Sequence, residues 1–65
     1  MKSVEEFIQE EGISKAELGR LSLISRSLVS KREIAGWWVG WRVVDGERLV
    51  GWQNGEELMF RGVKK

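Results

Sequence analysis

Cysteine and histidine are both absent from this 65-residue chain. Without them there are no disulfide staples and none of the usual zinc-ligand sets, so the fold has to be held by packing alone. No stretch reaches the length of a membrane-crossing helix, and the opening MKSVEEFIQEEG lacks the apolar block of a secretory signal. Nor is there a glycine-rich phosphate loop or a pair of acids set to enclose a substrate. These absences argue against an enzyme, and no cofactor, metal, membrane or small-molecule substrate is expected. They fit a soluble protein of a reducing cytoplasm.

What is present is bulk. Four tryptophans and two phenylalanines are available for one small core. A domain of this size hides only roughly 60 % of the surface its unfolded chain exposes, so self-association is an expected second source of burial. The chain reads as a single domain over residues 1–65, with a helical part over 1–36 and strands over 37–65.

Helix signals come in three sets. Ser3-x-x-Glu6 and Ser14-x-x-Glu17 are capping-box patterns, each serine placed to satisfy a backbone donor at a helix start. The first helix is expected over Val4–Glu11, with Val4, Phe7 and Ile8 on its apolar face and Gly12 as its left-handed terminator. The second is expected over Lys15–Leu23, turning Leu18 and Leu21 inward. Ser25 caps a third helix over Arg26–Ala35, closed by Gly36. Gly19 beside Leu18 leaves room for the third helix to cross the second closely, with Ile24 and Val29 as apolar anchors around the turn.

After Gly36 the hydrophobic period changes to two. WWVGWRVV ends at Asp45-Gly46, ERLVGWQ ends at Asn54-Gly55, and EELMFRGV follows. Asp-Gly and Asn-Gly are strong two-residue hairpin signals, because both central positions adopt positive φ. The expected fold class is therefore α+β, three short helices followed by a three-stranded antiparallel meander. A tight turn at Asp45-Gly46 pairs Val43 with Arg48, Trp41 with Val50, Gly40 with Gly51, and Val39 with Trp52. One sheet face then carries Trp37, Val39, Trp41, Val43, Val50, Trp52 and Met59. The other carries Trp38, Arg42, Val44, Leu49, Leu58 and Phe60, and needs a cover of its own. Trp38, Leu58 and Phe60 are its candidate dimer contacts, and Gly40 and Gly51 leave room there for Trp38 or a helix.

Net charge is +1, but it is unevenly spread. Residues 1–14 carry −3, residues 15–36 carry +3, and residues 37–65 carry +1. Within the basic segment, ISRSLVSKR holds three serines, three bases and no acid. Helical spacing turns Leu28 and Val29 inward and leaves Arg26, Ser27, Ser30 and Lys31 on one outer surface. Such a face suits the DNA major groove, which admits a helix and displays base-edge donors and acceptors. The plain alternative is a solvated helix surface. Ser22 is read as bonding locally.

The segment resembles the helix-turn-helix of the Cro and phage-repressor family through Leu18, Gly19, Ser22, Ile24, Ser25, Arg26, Ser27, Val29, Ser30, Glu33 and Gly36. It departs at Leu23, where the family commonly has glycine, and at Arg32, where an apolar residue is common. The resemblance implies a cytoplasmic regulator of a bacterial host cell that represses transcription by occluding a promoter as a homodimer on double-stranded DNA. It also implies that the third helix reads bases through Arg26, Ser27, Ser30 and Lys31, while Lys15 and Ser25 hold phosphates. Arg32 is expected to reach a phosphate or an acid. Arg42 and Arg48 either make the hairpin a wing touching phosphate or a narrow minor groove, or pair across strands with Glu47 or Glu57. The Trp-rich stretch GWWVGWRVVDGERLVGW also faintly resembles the strand–turn–strand of SH3-like barrels. That second likeness implies a protein-interaction module binding a host protein through its sheet.

Overall fold

The computed structural model describes residues 1–62. Val63, at the end of the expected third strand, lies outside the described residues. The described chain runs β1 (Lys2–Ser3), α1 (Val4–Glu11), α2 (Lys15–Ser22), α3 (Arg26–Ile34), β2 (Trp38–Val44), β3 (Glu47–Asn54) and β4 (Glu57–Arg61). It is an α+β fold, but the sheet has four strands, in the order β1-β2-β3-β4. The extra one is β1, whose Lys2 and Ser3 pair antiparallel with Val39 and Trp38. The division at residue 36 is corrected accordingly, because the chain's first residues belong to the sheet that its second half builds.

Ser3 does two things at once. Its backbone pairs with Trp38 while its hydroxyl accepts the Glu6 backbone N–H at 3.2 Å. The Glu6 carboxylate reaches back to Ser3, completing the capping box. At α2 only half the box forms: Ser14 Oγ accepts from Glu17 N at 3.2 Å, and the Glu17 side chain turns to Arg20 at 4.0 Å instead. At α3, Ser25 Oγ accepts from Leu28 N at 3.1 Å.

All three helices end in the same six-residue wrap. Ile13 N–H donates to Ile8 O, Ile24 N–H to Gly19 O, and Trp37 N–H to Arg32 O. The wrap needs a left-handed residue just past the helix. Gly12 and Gly36 supply it at α1 and α3, and Leu23 supplies it at α2 with φ 57°. Helix 2 therefore stops at Ser22, one residue short of the expected end, and α3 stops at Ile34 for the same reason.

The β2–β3 register is the expected one throughout, from Trp38↔Gln53 to Val44↔Glu47. Asp45 and Gly46 both have positive φ at its turn, as the two-residue loop requires. The second hairpin differs by one residue. Asn54 still pairs with Glu57, so the loop is Gly55-Glu56, and Gln53 Nε2 donates to Gly55 O at 2.9 Å.

Helices pack on one sheet face only. Val4 and Phe7 from α1, Leu18 from α2 and Val29 from α3 meet Val39, Val50 and Trp52 in a single core. Each fully buried aliphatic here contributes about 1.5–3 kcal/mol over leaving it exposed. Leu21, expected inward, is 43 % exposed, because α2 turns Leu18, Gly19 and Ser22 to the core instead. Val43, at the hairpin's end, is also exposed, since no helix extends over it. Ser22 is not a local bonder: wholly buried, it accepts the Trp52 indole N–H at 3.2 Å across 30 residues of sequence.

Candidate nucleic-acid interface

Packing of α3 fixes which of its sides is free. Val29 and Arg32 are buried and Leu28 is half-buried, so the opposite side carries Arg26, Ser27, Ser30 and Lys31. Ser30 is half-buried; the other three are exposed. Among the described residues neither Arg26 nor Lys31 has an ion-pair partner. The surface holds cations and hydroxyls with no acid between them.

Ile34 belongs to the same side and was not singled out from the sequence. It stands seven residues after Ser27 and four after Ser30, and it is 86 % exposed. The helical spacing from Ser27 and Ser30 was the signal that would have found it. An aliphatic side chain on such a face has the chemistry to meet a thymine methyl or a sugar edge.

Glu33, the one acid of α3, is turned aside. It makes an ion pair with Lys15 at the start of α2, and both side chains are about one-third exposed or less. The pair ties the first residue of α2 to the last turn of α3 and fixes how the two helices cross. Gly19 makes the crossing close: a Cβ there would lie 2.8 Å from the Ile24 carbonyl oxygen. Lys15, expected to hold a phosphate, is thus already engaged and has to share its charge with Glu33. The Ser25 hydroxyl is occupied as the α3 cap, which leaves the first backbone N–H groups of α3 free to face an anion.

Arg32 is a correction. It is only 5 % exposed, too buried to meet a phosphate, and it pairs with no acid among the described residues. Its guanidinium lies between two indoles, 4.3 Å from the Trp37 ring and 4.8 Å from the Trp52 ring. Its Nε and Nη1 have no hydrogen-bond partner among the described residues. Burial, and then the nearby charge of Arg61, push its pKa below the usual arginine value. The planar group takes the place of an apolar side chain, filling the slot by stacking.

Arg42 and Arg48 do not form the expected pair around the hairpin. Arg42 lies on the sheet face away from the helices, beside Met1, with Nη2 4.0 Å from the Met1 sulfur. Gly40 and Gly51, paired across β2 and β3, leave the trough that Met1 and Arg42 occupy, rather than room for Trp38 or a helix. Arg48 lies on the other face, its guanidinium 4.3 Å from the Trp41 ring. Neither is paired with Glu47 or Glu57 among the described residues. The two arginines therefore lie on opposite faces of the hairpin.

Trp38, Leu58 and Phe60 are 47 %, 45 % and 40 % exposed on the helix-free face. Trp38 and Leu58 flank Gln53 in one cross-strand row, and Phe60 stands beside Gly51 in the next. They form one apolar surface next to β4, an edge strand.

No family model matches the chain, and comparison with curated proteins and with solved structures finds no match. Among the described residues no helix is long and apolar enough to cross a membrane.

Proposed function

We propose that the protein is a sequence-specific double-stranded DNA-binding regulator of the Cro and phage-repressor type. The observation that carries this reading is the outer face of α3, where Arg26, Ser27, Ser30 and Lys31 stand together while the helix's one acid, Glu33, is paired with Lys15. Arginine and lysine donate in pairs to guanine, and serine bonds either kind of base edge. Two packed helices with a tight left-handed turn hold that face clear of the sheet. Phosphate contact would come from Lys15, shared with Glu33, and from the N-terminal backbone of α3.

A chain of this size represses most simply by occupying a promoter. A homodimer would double the contact area and match a two-fold operator, with Trp38, Leu58 and Phe60 as the surface that joins two copies. The same exposed surface favours the second reading, a module that docks on another protein through its sheet. Selection of bound sites from random duplex DNA separates the two. The first reading expects an enriched palindrome with half-sites one helical turn apart; recovery of unenriched sequence would leave the second standing.

A further inference from the structure

The helix side of the sheet carries a second cationic feature that the DNA reading does not use. Trp41, Val50 and Arg61 lie side by side across β2, β3 and β4. Above this row the end of α2 brings Arg20, Leu21 and Leu23. Together with Arg48 these residues line a cavity of about 310 Å³. Its floor is indole and aliphatic, and three arginines, Arg20, Arg48 and Arg61, line it. Among the described residues the one ion pair made by these arginines is Arg20 with Glu17 at 4.0 Å on the open surface, too weak and exposed to neutralise three cations.

The donors here outnumber the acceptors. Arg61 Nε and the Trp41 indole N–H are buried and have no hydrogen-bond partner among the described residues. The Arg48 guanidinium lies over the Trp41 ring, 4.3 Å from its centroid, a contact with the ring face and not with its N–H. Buried Arg32 is close enough to Arg61 for the two charges to repel. A cluster of like charges is costly in the free protein, and a bound oxyanion would relieve that repulsion.

We propose that this cleft binds a small molecule carrying a carboxylate or phosphate on an apolar, preferably aromatic, body. The forked guanidiniums suit an oxyanion, which they can hold through two parallel bonds. The Trp41 and Val50 floor, with Leu21 and Leu23 above it, suits the body. Its volume is at the lower end of the roughly 300–1,000 Å³ usual for ligand pockets, which excludes a folded segment. The inference stands apart from DNA recognition by α3 and does not require it.

The test is a titration followed by the Trp41 indole N–H and Gly62 amide signals of ¹⁵N-labelled protein at constant ionic strength. The probes are inorganic phosphate, phenyl phosphate, benzoate and the uncharged benzyl alcohol. Saturable shifts are expected with phenyl phosphate and benzoate, with benzyl alcohol at least roughly tenfold weaker. Inorganic phosphate alone should bind more weakly than phenyl phosphate, which distinguishes the bare ion from the ion on its apolar body. Replacing the exposed pair by Arg20→Gln and Arg48→Gln should weaken binding by roughly tenfold or more while the amide spectrum stays folded. Non-saturating shifts, equal affinity in the double variant, or a response to duplex DNA but to none of the small anions would overturn the proposal.

Discussion

The indole nitrogen of Trp52 donates to the hydroxyl of Ser22 at 3.2 Å, and both residues are wholly buried. This bond joins the last residue of α2 to the middle of β3, so it sets how the helix-turn-helix rests on the sheet. Ser22→Ala leaves the indole N–H in the core without an acceptor. The expected loss is about 1–3 kcal/mol, read as a lower urea midpoint with an unchanged slope. A stability equal to the parent would mean that the bond carries no net weight.

Arg32 shows the opposite balance. Its two indole stacks are favourable by about 0.5–2 kcal/mol each. Against them stand the removal of a charge from water and two unpaired N–H groups, costing about 1–3 kcal/mol apiece or more. Arg32→Met, which keeps the length and removes the charge, should therefore be neutral or stabilising in urea unfolding. Its DNA affinity and salt slope should equal the parent's, since a buried residue releases no counterions. A salt slope reduced by about one would restore Arg32 as a phosphate contact.

Leu23 holds a left-handed backbone with its side chain 70 % exposed, at the position where α1 and α3 use glycine. A non-glycine residue there costs about 1–2 kcal/mol, partly offset in glycine by about 0.5–1 kcal/mol of chain entropy. Leu23→Gly should raise stability by about 0.5–1 kcal/mol, or several degrees in melting temperature. A lower melting temperature would mean that the leucine's contacts outweigh its strain.

On the helix-free face, Leu58→Glu with Phe60→Glu places charge on an apolar surface that is already solvent-exposed in one copy. Sedimentation should show twice the 7.5 kDa chain mass for the parent and a single folded chain for the double variant. A monomeric parent would remove the dimer and favour docking of this face on a different protein.

Much of this arrangement was legible in the residues. The Asp45-Gly46 turn fixed the β2–β3 register because a two-residue loop with positive φ allows only one pairing, and serine caps located every helix start. Strand β1 was not legible: two residues show no alternation, and Ser3 already announced itself as a cap. Asn54-Gly55 misled by one position because Gly55 alone can supply the special φ. Arg32 misled because a charge normally signals solvent, and nothing local reveals that Trp37 and Trp52 will close on it from a turn and a distant strand. The face of α3 was readable from spacing, and the same spacing from Ser27 and Ser30 leads to the exposed Ile34, which was not singled out.

The most direct measurement is the affinity of the parent and of Arg26→Ala for the selected duplex and for its single-base variants, at two salt concentrations. The account predicts a loss of about 1–3 kcal/mol confined to one base pair of the site, where the variant no longer discriminates, with the salt dependence kept largely intact. Equal affinity of parent and variant on every duplex would contradict it, because the free side of α3 would then not be reading the groove.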